Sequence, residues 1–306
     1  MRPMRTLRAT PLLLAGALAC GGSGPASMPA PVAFSLPDSV TVVAGQTGRT
    51  VPTADLTRRL AAADLVLLGE FHDDALHHRI RGALITAFDQ RHPAVVFEQF
   101  AEADGPIAPP AAGESETDWL DRNGFDRTGW RWPLHRPVVD AALAHARAIW
   151  GSGLSRESLR AVVRGGADAA PEPLRALIVR TPLDSVARAE IDRELIDGHC
   201  GQLPPSMLPG MRAAQEARDA SMTRALLAAG ATGPAWLIAG NGHVRADMGV
   251  PRMLRIVAPE RKRLVVGFLE RDEHGNLPAA AERRVYDLVV VTPRVEREDP
   301  CAAFKR

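Results

Sequence analysis

Five short apolar runs constrain this chain most: Leu65–Leu68, Val95–Phe97, Trp236–Ile238, Leu264–Val266 and Leu288–Val291, each bounded by polar residues, Gly or Pro. Runs of that length without polar alternation read as strands buried on both faces. Helical patterns separate them, over Thr53–Ala63, Asp74–Arg91, Pro137–Trp150, Leu183–Asp197 and Met207–Ala229. Strand, helix, strand at the start predicts an α/β sheet. Glu102 to Gly233 carries helical patterns and no strand run, which predicts a largely helical cap between the second and third core strands. Arg263–Glu270, the turn Glu273-His274-Gly275-Asn276 and Glu282–Val291 predict an antiparallel hairpin. The expected fold is therefore α/β, a mixed, mainly parallel central sheet flanked by helices, with a helical cap over about 102–233 and a C-terminal β-hairpin. It occupies one domain over 36–295, with a tail at 296–306.

The N-terminus belongs to a different regime. Arg2, Arg5 and Arg8 precede the apolar run Leu12 to Ala19, which is too short to span a bilayer and reads as a signal peptide over 1–19. Small residues then lead to Cys20, as in a bacterial lipobox, and this predicts lipidation of Cys20 and a lipid-anchored location in the cell envelope. A Gly-, Ser- and Pro-rich stretch follows, a flexible tether over 20–35. With Cys20 so used, Cys200 and Cys301 remain as a pair in an oxidising compartment, and a disulfide between them is expected. Formal net charge is +1 and no basic stripe interleaves with aromatics, which argues against a nucleic-acid partner.

Chemistry concentrates where apolar runs end. Leu67-Leu68-Gly69-Glu70-Phe71-His72 carries a buried strand into a carboxylate and an imidazole two residues apart, positions that share a face in extended chain. Open α/β sheets bind ligands at such strand ends. Trp236 to Ile238 is likewise released into Gly240-Asn241-Gly242-His243, where glycine permits positive φ or close approach of backbone to a ligand. Val95 to Phe97 ends in Glu98. Converging parallel ends would gather Glu70, His72, Glu98 and His243, a donor set suited to a divalent metal ion. On the Met211–Leu227 helix, Gln215, Arg218, Asp219 and Met222 share one face, either solvated or lining the site with Arg218 oriented on a carboxylate. Trp119, Trp130, Trp132 and Trp150 are placed in the cap, as core or as an aromatic pocket.

These motifs resemble the ChaN-like haem-binding uptake proteins, within the superfamily that also holds the Tiki proteases and erythromycin-esterase-like proteins. The resemblance rests on Gly69-Glu70 with His72, Glu98, and Gly240-Asn241-Gly242-His243 followed by Gly249-Val250-Pro251. It extends through Asp73 with His77-His78, Trp132-Pro133-Leu134-His135-Arg136-Pro137, His199-Cys200-Gly201, and Gln215 with Arg218-Asp219 and Met222. It implies a lipoprotein that binds haem, at a homodimer interface and through a tyrosine, in iron or haem acquisition. His135 stands at the tyrosine's place and Tyr286 is the one tyrosine, so these two are the expected haem ligands, with Arg218 and Asn241 also on the cofactor. The proteolytic branch implies the alternative of a metal-dependent hydrolase, with Glu70 or Glu98 as general base and His72 and His243 on the metal. A third reading is a non-catalytic structural module of the envelope.

Overall fold

The computed structural model describes residues 34–299, 301 and 302; the leader, Cys20 and most of the tether lie outside them. Chain order begins β1 (Thr41–Ala44), α1 (Thr53–Ala62), β2 (Leu65–Leu68), α2 (Ala75–Ala87), β3 (Ala94–Ala101), α3 (Glu116–Arg122) and α4 (Arg136–His145). It continues with β4 (Ala148–Gly153), α5 (Arg156–Gly165), α6 (Glu172–Arg180), α7 (Ser185–Gly198) and α8 (Leu208–Ala229). It closes with β5 (Ala235–Ile238), α9 (Asn241–Val244), α10 (Val250–Val257), β6 (Arg263–Glu270), α11 (Ala280–Arg283) and β7 (Leu288–Thr292).

The strands form one seven-stranded sheet in the order β1-β7-β6-β2-β5-β3-β4. Every neighbouring pair is parallel except β1 with β7. The mixed, mainly parallel α/β sheet is thus as expected, and its burial explains the sequence. All four residues of β2 and of β5 are buried. Val66 and Leu68 face one helical layer, with Leu56 and Leu60 of α1, Ile80 and Leu84 of α2 and Val138 of α4. Leu65 and Leu67 face the other, with Met222 and Leu226 of α8 and Val250 and Leu254 of α10. Because successive side chains alternate between faces, a strand covered on both sides is apolar throughout.

Two expectations are corrected. The cap does contain a strand: β4 pairs in parallel with β3 and closes that edge of the sheet, so Trp150 belongs to the sheet and the α4 helix stops at His145. Its Ala-Ile-Trp-Gly-Ser-Gly sequence lacks an apolar run. The glycines are there for contact, since a Cβ on Gly151 would meet the Ala101 carbonyl oxygen at 1.9 Å. The C-terminal hairpin is also replaced, because β6 and β7 pair in parallel. A turn closed on Asp272 and the short α11 take the chain back, and Asp287 accepts from the Val265 N–H before β7 begins. Tyr286 packs over Gly267, where a Cβ would lie 2.7 Å from its ring.

The remaining cap is helical. α5 and α6 pack through Val162, Leu174 and Ile178 on Ala213, Ala214, Ala217 and Ala220 of α8. Cys200, just after α7, is disulfide-bonded to Cys301. Among the described residues no helix is long and apolar enough to cross a membrane.

Candidate functional site

Parallel pairing of β2, β5 and β3 brings Glu70, Gly240 and Glu98 to the same end of the sheet. The two carboxylates are buried, at 1% and 5% exposure, and each has its own compensating partners. A buried charge without such partners is strongly disfavoured.

Around Glu70, Oε1 accepts from Gln99 Nε2 at 3.0 Å and lies 2.5 Å from His72 Nδ1 and 3.4 Å from His135 Nε2. Oε2 is ion-paired with the fully buried guanidinium of Arg81. Arg81 in turn donates to His78 Nδ1 at 2.7 Å, and His78 Nε2 donates to the His72 carbonyl at 3.1 Å. The His78 and His135 rings lie 4.0 Å apart. Burial pushes both imidazoles down to about 3, so both are neutral near pH 7. His77 is neutral for the same reason, at about 3. Its Nδ1 accepts from the Phe71 N–H and its Nε2 meets Thr292 Oγ1 at 3.0 Å, so it locks the turn after β2. Asp74 caps α2 by accepting from Leu76 and His77 N–H groups.

Around Glu98, Oε2 accepts from the Gly240 N–H at 2.8 Å and Oε1 lies 3.5 Å from His243 Nε2. His243 Nδ1 lies 2.6 Å from Asp219 Oδ1. The imidazole is thereby held between two carboxylates. Its burial lowers the pKa, but the charges of Glu98 and Asp219 outweigh that and push it up to about 10. Burial raises the Glu98 carboxyl, yet the His243 charge and hydrogen bond carry it well below the usual carboxylate range. Burial raises Asp219, opposed by His243.

Within the expected four-residue metal set, Glu70 is paired with His72 and Glu98 with His243, and the His72 imidazole also feels the Glu98 charge. The closest candidate metal group among the described residues is instead Glu70, His72 and His135, with ligand atoms within 4.8 Å of one another. His72 stands apart in exposure, its side chain 43% accessible, with Trp130 edge-on at 4.9 Å.

Asn241 is structural. Its Nδ2 donates to the Phe268 carbonyl at 2.6 Å and its Oδ1 accepts from the Phe268 N–H at 3.1 Å, so the side chain passes over the end of β2 to tie β5 to β6. Gly69 lies beneath it; a Cβ there would come within 2.1 Å of Asn241 Oδ1. Neither expected haem ligand is presented to solvent. His135 is 1% exposed, and Tyr286 is 5% exposed with its hydroxyl donating to the Asn241 carbonyl at 3.3 Å. Tyr286 lines a separate groove of about 920 Å³ with Phe71 and Arg245.

Arg218 lies on the wall of a cavity of about 490 Å³ with Glu98, Phe100, Trp130, Leu159 and Met222. Arg81 and Gln99 are the site residues to which sequence reasoning gave no role, and His78 entered only as part of the family resemblance. A charged residue one turn beyond His77 and in line with Leu84 and Ile85 was the signal available for Arg81.

The family model described as haem-binding uptake, Tiki superfamily, ChaN matches residues 56–254. Among solved structures, the one showing cofacial heme binding to ChaN of Campylobacter jejuni is similar in fold. Its TM-score is 0.61 at 16% identity, covering 83% of this chain and 96% of that one. An erythromycin esterase mutant in its open conformation has a TM-score of 0.45 at 11% identity, covering 85% of this chain and 99% of that one. No curated protein matches the chain.

Proposed function

The chain belongs to the ChaN family of haem-binding uptake proteins in the Tiki superfamily, and from that membership we propose that it binds haem in the crevice at the carboxyl ends of β3 and β4. The observation that carries this reading is the cavity beside Glu98, walled by Phe100, Trp130, Leu159 and Met222 and bordered by Arg218. Arg218 makes no ion pair among the described residues. A porphyrin needs an apolar, aromatic wall for its ring and a cation for its propionates, and these residues supply both. Bound haem would supply an iron centre with axial positions to fill. Hemin titration of the purified protein tests the reading: a saturable shift of the Soret band is expected, and no saturable shift would discard it.

The cellular setting we propose is the envelope, with Cys20 lipidated and the protein serving iron or haem acquisition, as a homodimer when haem-loaded. The signal-like leader supports export, and the Cys200–Cys301 disulfide suits an oxidising compartment. Incorporation of labelled palmitate, lost on Cys20→Ser, checks the anchor; light scattering with and without hemin checks the dimer.

A metal-dependent hydrolase is the second reading, favoured by the clustering of Glu70, His72 and His135. It predicts peptide or ester cleavage that needs added Mn, Co or Zn and disappears on Glu70→Gln. Two features weigh against it: Arg81 already neutralises Glu70, and His135 is buried. A guanidinium on the same carboxylate repels a divalent cation.

A further inference from the structure

Beyond β7 the chain contacts three separate parts of the molecule. Arg297 donates from Nε and Nη2 to Asp73 at 2.7 and 2.8 Å, and from Nη1 and Nη2 to Glu270 at 2.8 and 2.6 Å. Its guanidinium lies 5.6 Å over the Phe71 ring, and the Val295 N–H donates to Glu270 at 3.2 Å. Cys301 is bonded to Cys200, just after α7. Phe71 and Asp73 flank His72, the one member of the Glu70 cluster whose side chain is substantially exposed, at 43%. Arg297 therefore grips the turn that presents His72. Arg294, with Phe71 and Glu270, also lines the groove of about 920 Å³, so the same segment forms part of that groove's wall.

Two kinds of restraint hold this segment, and they differ in strength. The Arg297 ion pairs are open to water, with side chains 31% exposed at Arg297 and 28% at Asp73, and pairs so placed contribute little by themselves. A free chain end must also give up conformational entropy to be held by them. The disulfide changes that balance. With one end fixed in β7 and the other at Cys301, much of that freedom is already gone, and the weak contacts close within a short loop. The bond is within reach of a reagent: Cys200 and Cys301 are half-buried, and Gly198, His199 and Gly201 beside Cys200 are exposed.

We propose that residues 293–299 are a redox-latched strap, in which the Cys200–Cys301 bond keeps Arg297 seated on Phe71, Asp73 and Glu270 and a dithiol reductant releases it. The exchange balances without a further reactant. One thiolate of the reductant bonds to a cysteine sulfur, the Cys200–Cys301 bond breaks, and the displaced thiolate takes up a proton. The second thiolate of the reductant then attacks the mixed disulfide, so the reductant leaves as its own disulfide and both cysteines are thiols. Two electrons pass from the dithiol to the protein. Release uncovers one face of the Phe71 ring, removes a guanidinium from Asp73 and Glu270, and opens the groove wall at Arg294. The turn then keeps its own backbone restraints, the Phe71 N–H on His77 Nδ1 and the Asp74 N–H on the Phe71 carbonyl.

The test is limited trypsin digestion and hydrogen–deuterium exchange of the full chain, oxidised and after dithiothreitol, alongside Cys301→Ser and Arg297→Gln. Oxidised protein is expected to resist cleavage after Arg294 and Arg297 and to protect the amides of residues 71–74. Reduction, or Cys301→Ser, should speed that cleavage by about tenfold or more and speed exchange in the turn, while β2 and β5 stay protected. Arg297→Gln should loosen the turn with the disulfide still formed. If the segment resists trypsin after reduction as well as before, the latch is overturned. If it is released but exchange at residues 71–74 is unchanged, in the reduced protein or in Arg297→Gln, the clamp on the His72 turn is overturned. Loss of protection in β2 and β5 together with the segment overturns the strap as well, because the bond would then support the whole fold.

Discussion

His243 lies between Glu98 and Asp219 with 7% of its surface exposed, and its charge is what allows two carboxylates to sit so close in the interior. Replacing it with phenylalanine keeps much of the volume and removes the cation. The expected cost is about 3–5 kcal/mol, the range for leaving a buried charge without its partner. Urea denaturation measures it, and a loss below about 1 kcal/mol would contradict the clamp. The pH dependence of this group has a definite sign. A folded pKa raised to about 10 from 6.5 gives stability that is complete below pH 6.5 and is lost as pH rises through about 10. NMR should therefore find the His243 ring still protonated at pH 8, and neutral there once Asp219 is replaced by Asn.

At the scale of elements, the Asn241 bridge takes over where β2 stops. β2 ends at Leu68, and beyond it the Asn241 amide pairs with Phe268 of β6 in place of a strand. Asn241→Ala would leave a buried N–H and carbonyl unmet, at about 2–4 kcal/mol. Gly69→Ala should cost at least as much, since its Cβ collides with the bridge. Thermal denaturation of both variants checks this; near-wild-type melting would show that the bridge is dispensable. Element boundaries were legible where burial was symmetric. Leu65–Leu68 and Trp236–Ile238 are apolar because helices cover both faces, and sequence shows that directly. β4 was not legible, since Gly151 and Gly153 are dictated by contact with the carbonyl groups of β3. β7 was legible as a strand but not in its direction, because parallel and antiparallel neighbours share the same apolar pattern.

Across the whole molecule, two features set the conditions under which the fold persists. The Cys200–Cys301 disulfide ties residues 101 positions apart, joining the C-terminal tail to the cap. Its loss in Cys200→Ser is expected to cost about 2–5 kcal/mol, read as a lowered melting temperature that dithiothreitol reproduces in wild type. An unchanged melting temperature would show the tail to be expendable. His77, His78 and His135 are buried neutral, each pushed down to about 3 from 6.5. The unfolded chain binds protons at these positions first, so stability is complete above pH 6.5 and falls as pH drops below it. Each contributes a slope approaching about 1.4 kcal/mol per pH unit. Denaturant titrations at pH 7 and pH 5 should show a clear loss; equal stabilities would contradict it.

The sequence by itself determined the α/β class, the strands at the core and the identity of the site segments, because burial on both faces and glycine-released strand ends leave local marks. Glu70, His72, Glu98 and His243 do meet at one end of the sheet. Only the tertiary structure decided how they are partnered. Arg81 reaches Glu70 from the middle of α2, and Asp219 reaches His243 from α8, so each of the two carries a counter-charge from a distant part of the chain. Which histidine is accessible is likewise a matter of what lies beside it: His135 is closed over, while the His72 side chain is 43% exposed. Charge compensation and solvent access depend on residues far apart in the chain, and a local pattern carries no record of them.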